Sequence, residues 1–181
     1  GISHGRGKLT DNLSLQFSGL TGAYNIGLLH CNIGSVSMDM PYAPCQISDL
    51  LHRGIDYWAL GHIHKRQVLN QEPWVIYAGN TQGRHVNEDG AKGVYLVRVS
   101  HGRAEEPEFR PIDTIRWEKR SLDVSSFESE EDLVDAVHSM AVDIPTLMRL
   151  ELYGRSPLDA CFRDMDRLEE LREHLWTGNL W

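Results

Sequence analysis

The stretch DYWALGHIH, residues 56–64, places two histidines directly behind an apolar run. A short apolar run bounded by glycine predicts a buried β-strand, and Gly61 is expected to let the backbone turn sharply where the histidines begin. Residues one apart in extended backbone point the same way. We therefore expect His62 and His64 to reach into one common site.

Upstream and downstream of this stretch, the first part of the chain alternates strand and helix patterns. Residues 24–30 (YNIGLLH) predict a buried strand, and residues 45–54 (CQISDLLHRG) have helical apolar spacing. Gly54 suits the left-handed cap at the end of that helix. Residues 74–80 and 92–99 are β-rich runs bounded by turn-forming residues. These alternating patterns predict an α/β fold.

His30 is the last residue of the first predicted strand, just as His62 and His64 follow the second. If the two strands are neighbours in a parallel sheet, their carboxyl ends bring all three imidazoles to one edge. Imidazole is the commonest metal-binding side chain. The pattern predicts a metal site, although a His-x-His sequence also arises often by chance.

After Pro111 the pattern changes to a strand, helix, strand, helix unit. Ser129 and Ser156 are expected to cap its two helices. We predict two portions: residues 1–115, which carry the predicted metal site, and residues 116–181, a small α/β appendage that acts as a cap or binds DNA or a partner. The four elements predicted after Pro111 are residues 115–124, 129–140, 146–154 and 156–175.

Composition narrows the class of protein. The chain has 181 residues, 41% of them hydrophobic, and a formal charge of −8, which argues against broad electrostatic adhesion to nucleic acid. That charge does not exclude a nuclease, because bound divalent ions supply positive charge locally. Three widely spaced cysteines favour a reducing compartment over a disulfide framework, and no run is long enough for a membrane helix. We expect a cytoplasmic protein that does not enter a membrane.

Three motifs in order carry a family resemblance: LLHCN (residues 28–32), DYWALGHIHKRQV (residues 56–68) and VIYAGNTQGRH (residues 75–85). They resemble the C-terminal half of the calcineurin-like metallophosphoesterase superfamily, and within it the branch of YhaO-type, SbcD-like DNA repair exonucleases. The resemblance covers most of residues 1–155. It implies a fold that is half of an α-β-β-α sandwich. It also implies a phosphodiesterase that uses two divalent metals to activate water. Mn²⁺ is the expected metal, with Zn²⁺ and Mg²⁺ as alternatives.

Matched motif by motif, His30 and His62 resemble ligands of one metal, and His64 resembles a ligand of the other. No residue of this chain matches a catalytic role beyond metal binding. Four basic residues near the motifs are expected to contact substrate phosphates, with solvated loop charge as the alternative reading: Lys65, Arg66, Arg84 and His85.

The chain departs from the family by lacking its upstream motifs, Asp-x-His, Gly-Asp-x-x-Asp and Gly-Asn-His. Three imidazoles without a carboxylate hold at most one metal and suit zinc better than a manganese pair. We therefore expect the chain by itself to be incomplete and inactive. The missing half is expected either in cis, which residues 1–5 (GISHG) favour because they resemble the segment just past Gly-Asn-His, or on a separate chain.

The resemblance also implies DNA as a substrate of the complete enzyme and an ATPase subunit as a possible partner. Two other functions fit the sequence. One is a non-catalytic regulatory or DNA-positioning module whose histidines are structural, and the other is a phosphoesterase acting on nucleotides or phosphoproteins. The sequence leaves the oligomeric state open.

Overall fold

A computed structural model describes residues 9–34, 42–140 and 144–175, which form two compact units. The first unit comprises Gly1–Thr81 with Lys92–Ile112, and the second comprises Gln82–Ala91 with Asp113–Trp181. Several short sheets with few helices confirm the predicted α/β class. The segment GISHG lies outside the described residues, and the division at residues 115 and 116 stays a prediction.

The elements of the first unit are a 3₁₀ turn at Leu13–Gln16, β1 at Ile26–His30, α1 at Ile47–Leu51, β2 at Tyr57–Gly61, β3 at Gln67–Gln71, β4 at Trp74–Tyr77, β5 at Gly93–Leu96, β6 at Val99–Ser100, β7 at Arg103–Ala104 and β8 at Glu108–Pro111. The first four strands form a sheet with the order β1-β2-β4-β3 at the centre of the unit. Strand β2 is parallel to both β1 and β4, and β3 runs antiparallel to β4. Strands β5 and β8 pair with each other, as do β6 and β7.

The core of the first unit is built around Trp58, whose side chain is fully buried on β2. Its indole N–H donates to the carbonyl of Leu50 in α1 at 3.2 Å, which satisfies the polar atom of the ring. Gly27 lies opposite Trp58 in the β1–β2 register. A Cβ at Gly27 would lie 2.5 Å from the indole ring, so the absence of a side chain lets the ring cover the strand.

The prediction that residues 24–30 form a buried strand is wrong for one face. Leu29 is 5% exposed, but Ile26 and Leu28 are 58% and 59% exposed. In the described residues β1 is an edge strand, and the core cluster covers only the face that holds Gly27 and Leu29. The run of apolar letters could not show this, because burial depends on what packs on each face of the sheet.

The second unit pairs β9 (Arg116–Asp123) with β10 (Thr146–Tyr153) in a two-stranded parallel sheet. Helix α2 (Glu130–His138) connects the two strands, and helix α3 (Met165–Leu175) packs against α2. Ser129 begins α2 with a capping box, as expected, in which its hydroxyl accepts the N–H of Asp132. No helix in the described residues is long and apolar enough to cross a bilayer.

Residues 156–175 were expected to form one helix, and that prediction is wrong. The structure has a 3₁₀ helix at Pro157–Arg163 and then α3. Asp164 between them has extended backbone, and its carboxylate accepts the N–H groups of Asp166 and Arg167. This side-chain cap starts a second helix, an alternative that apolar spacing does not reveal.

We predict that Gly27→Ala destabilises the protein by about 1–3 kcal/mol, because the new methyl group would overlap an indole ring that is fully buried and hydrogen-bonded to Leu50. Urea unfolding followed by circular dichroism measures this change. Leu28→Ala on the exposed face of the same strand is the matched control and should change stability by about 0.5 kcal/mol or less. Equal stability of Gly27→Ala and the unmodified protein would contradict the packing described here.

Candidate metal centre

Two histidine side chains meet at the carboxyl ends of β1 and β2. The strands are parallel, and His30, the last residue of β1, pairs with Gly61, the last residue of β2. His62 follows immediately, and its Nδ1 lies 3.3 Å from Nε2 of His30. The two imidazole centroids are 5.2 Å apart with an interplanar angle of 77°. The sheet register therefore brings the two nitrogen atoms within hydrogen-bond distance, one donating and the other accepting according to the tautomers.

Gly61 makes room for the His30 imidazole. A Cβ at this position would lie 2.9 Å from Nδ1 of His30, so any larger residue would push the ring away. The sequence suggested instead that Gly61 supplies the backbone freedom for a turn. The structure differs, because the left-handed backbone conformation falls one residue later, at His62.

His62 has a φ of 101°, a backbone conformation that residues other than glycine rarely adopt. Such a residue costs about 1–3 kcal/mol and persists only where the surroundings enforce it. Folding alone would favour glycine at this position. A strained residue whose ring faces a second imidazole therefore points to a chemical role for the side chain.

The surroundings of His62 favour its neutral form. Partial burial, with the neighbouring charge of His64 as a second cause, lowers the pKa of His62 below its ordinary value. A neutral imidazole offers a free nitrogen lone pair, which is the form that binds metals.

His64 takes a different position from the other two histidines. Its side chain is exposed, and its backbone carbonyl accepts the N–H of Asn80 at 3.1 Å, just past the end of β4. The positive φ of His62 interrupts the extended backbone that would have aimed both side chains the same way. The structure thus pairs His30 with His62 and places His64 close enough for its charge to act on His62.

The pair fits two positions in the ligand shell of one ion. In a tetrahedral shell with metal–nitrogen distances of about 2.0–2.1 Å, two ligand nitrogens lie about 3.3–3.4 Å apart. The observed separation of 3.3 Å falls in that interval. Across the described parts of the chain, no group of three or more His, Cys, Asp or Glu side chains is placed to hold a metal. A complete shell needs further ligands.

Lys65 and Arg66 follow the histidine segment and are both exposed. The guanidinium of Arg66 lies 4.0 Å from the centroid of the Phe109 ring, a cation–π contact that draws its side chain toward β8. This contact gives Arg66 a packing role within the first unit.

Arg84 and His85 belong to the second unit, where they surround Glu88. The Glu88 carboxylate is 7% exposed and accepts the backbone N–H of Arg84 at 2.9 Å. The Arg84 guanidinium and His85 Nε2 lie 3.8 and 3.6 Å from the same carboxylate. Glu88 therefore sets the conformation of the loop that carries both basic residues.

The sequence did not identify Tyr42, which contacts the two imidazoles, or Glu88, which contacts Arg84 and His85. Tyr42 stacks on the His62 ring with centroids 5.2 Å apart and an interplanar angle of 10°. A tyrosine between two prolines, Pro41 and Pro44, was the available signal, since such a segment has few conformations. Glu88 lies in a polar loop sequence, and no feature of that sequence distinguishes it from its neighbours.

Comparison with known proteins identifies a related sequence. The chain is 39% identical over 184 residues to the uncharacterized metallophosphoesterase YhaO of Bacillus subtilis (strain 168). The match covers 96% of this chain and 45% of YhaO, so the chain spans about half the length of that relative. No protein-family model matches the chain. The resemblance to the metallophosphoesterase superfamily is confirmed: the chain is a relative of part of a metallophosphoesterase.

We predict that His62→Gly is more stable than His62→Ala by about 1 kcal/mol, because both variants lose the imidazole but only glycine relieves the strained φ. Urea denaturation of the two variants measures the difference. The same pair at His64, where φ is not positive, is the control, and there alanine should equal or exceed glycine in stability. Alanine exceeding glycine at His62 as well would show that the strain is absent.

Proposed function

We propose that this chain supplies imidazole ligands to the metal centre of a phosphodiesterase that acts on DNA in repair. The observation that carries the proposal is the close approach of His62 Nδ1 to His30 Nε2, 3.3 Å, reached at the cost of a strained backbone. Neither a folding core nor a solvated surface requires that arrangement. The relationship to a metallophosphoesterase supports the same chemistry.

In this proposal, His30 and His62 hold one divalent ion, and His64 contributes to a second. The expected ions are two Mn²⁺, or Zn²⁺ or Mg²⁺ in their place. When bound, they would polarise a phosphoryl oxygen and activate water for attack on phosphorus. Carboxylate ligands come from polypeptide beyond this chain, in cis or from another chain.

Basic side chains hold and orient the substrate phosphates in this proposal. Lys65 is exposed beside the histidine segment, and Arg84 and His85 are held in a fixed loop by Glu88. Arg66 contributes less, because its guanidinium already packs on Phe109. With a net charge of −8, the chain offers DNA little general electrostatic attraction, so in this proposal contacts to DNA concentrate at these few residues and at the metals.

We predict that the chain binds Zn²⁺ and that His30→Ala and His62→Ala each abolish measurable binding, because each removes one of two facing ligands. His64→Ala should cause a smaller loss. Isothermal titration calorimetry measures the affinities, and circular dichroism verifies folding.

His174→Ala is the matched control for this titration, since His174 is an exposed histidine in the second unit. It should bind Zn²⁺ like the unmodified chain. Binding that survives both His30→Ala and His62→Ala would remove the metal centre and favour a non-catalytic module.

For catalysis, we predict that a hybrid in which this chain replaces the matching part of YhaO hydrolyses linear DNA with Mn²⁺ present. His62→Ala in the hybrid should lower the rate at least about 100-fold, and the chain alone should be inactive. Release of acid-soluble nucleotides and hydrolysis of bis(p-nitrophenyl) phosphate give the rates.

Unmodified YhaO, assayed in parallel on both substrates, is the reference for the hybrid. Hydrolysis of the small diester or of nucleotides without cleavage of DNA would replace the nuclease with a phosphoesterase of smaller substrates. A hybrid that cleaves DNA equally well with His62→Ala would overturn the ligand assignment.

A further inference from the structure

Three aromatic rings meet at the carboxyl ends of β1 and β2. The Tyr42 ring stacks on the His62 imidazole, with centroids 5.2 Å apart and planes 10° apart. The same ring meets the His30 imidazole edge-on at 4.9 Å. Each imidazole therefore packs against the phenol ring as well as against the other imidazole.

Asn32 fixes the position of Tyr42. The Asn32 side-chain oxygen accepts the Tyr42 N–H at 3.1 Å, and the Asn32 N–H donates to the Tyr42 carbonyl at 2.9 Å. Asn32 is 4% exposed, so water competes little for these bonds. Because Asn32 lies two residues after His30, one short segment carries an imidazole and also holds the ring that packs on both imidazoles.

Tyr77 in turn fastens this segment to the centre of the sheet. Its hydroxyl donates to the Cys31 carbonyl at 2.8 Å and accepts the Ile33 N–H at 3.1 Å. Tyr77 is 2% exposed on β4. A continuous set of contacts therefore runs from the buried core, through Asn32, to Tyr42 and the two imidazoles.

We propose that Tyr42 is a positioning residue that holds the His30 and His62 imidazoles in the mutual orientation that binds one divalent cation. The proposal rests on the metal-binding role proposed above. The terminal torsion of an imidazole side chain has a broad range, so neighbouring groups set the orientation of the ring. The Tyr42 ring contacts His30 with nearly perpendicular planes and stacks on His62, so one ring restrains both imidazoles.

Isothermal titration of the metal-free chain with Zn²⁺ tests this role. Tyr42→Leu should weaken Zn²⁺ binding about 10–100-fold, the range found when groups that orient ligand imidazoles are removed. Tyr42→Phe keeps the ring and should bind like the unmodified chain. Tyr24→Leu, the same substitution just before the start of β1, should also leave the affinity unchanged.

Nuclear Overhauser contacts between the two imidazoles in the metal-free protein give a second measurement. They should be present in the unmodified chain and in Tyr42→Phe and lost in Tyr42→Leu. If Tyr42→Leu does not fold, Asn32→Ala, which frees Tyr42 from its side-chain acceptor, takes its place with the same expected direction.

Unchanged Zn²⁺ affinity in a folded Tyr42→Leu protein would overturn the positioning role while leaving the metal centre standing. If the unmodified chain binds no Zn²⁺, the metal-binding role itself fails. In that case the imidazole contacts decide alone, and their persistence in Tyr42→Leu would overturn the positioning role as well.

Discussion

The parallel pairing of β1 with β2 is the constraint on which the site depends. Residue-for-residue register from Ile26 and Tyr57 to His30 and Gly61 brings two distant parts of the chain to one edge. Buried Trp58 packs over Gly27 and is hydrogen-bonded to Leu50 in α1, so the core side of the sheet holds the β1–β2 pairing in place. A shift of one residue would turn every side chain of the strand to the other face and separate the imidazoles.

Two energetically unfavourable features occur together at His62. Its backbone conformation is unfavourable for any side chain, and its imidazole is partly buried beside other imidazoles, which disfavours charge. Both features are tolerated because hydrogen bonds and ring contacts around the strand ends fix the local structure. Strain and a depressed pKa at the same residue are typical of functional sites, where the chemistry and not the fold selects the residue.

The sequence predicted that the strand ends carrying His30 and His62 meet, but it did not predict the different position of His64. An apolar run ending in His30 and another followed by His62 indicated two strands whose ends meet, and the structure has that pairing. The polar strand β3, by contrast, has no alternating pattern, and it forms because it pairs with β4. The exposed face of β1 and the break at Asp164 were also missed, because burial and local capping compete with the patterns read from the letters.

The sequence by itself determined the residue types and their order along the chain, including the three histidines, the motifs shared with metallophosphoesterases and the change of pattern after Pro111. Only the tertiary structure decided which side chains meet. It placed Tyr42 against both imidazoles and put the left-handed conformation at His62 instead of Gly61. The physical reason is that ring contacts and backbone strain arise from packing between segments far apart in the chain, which local spacing does not encode.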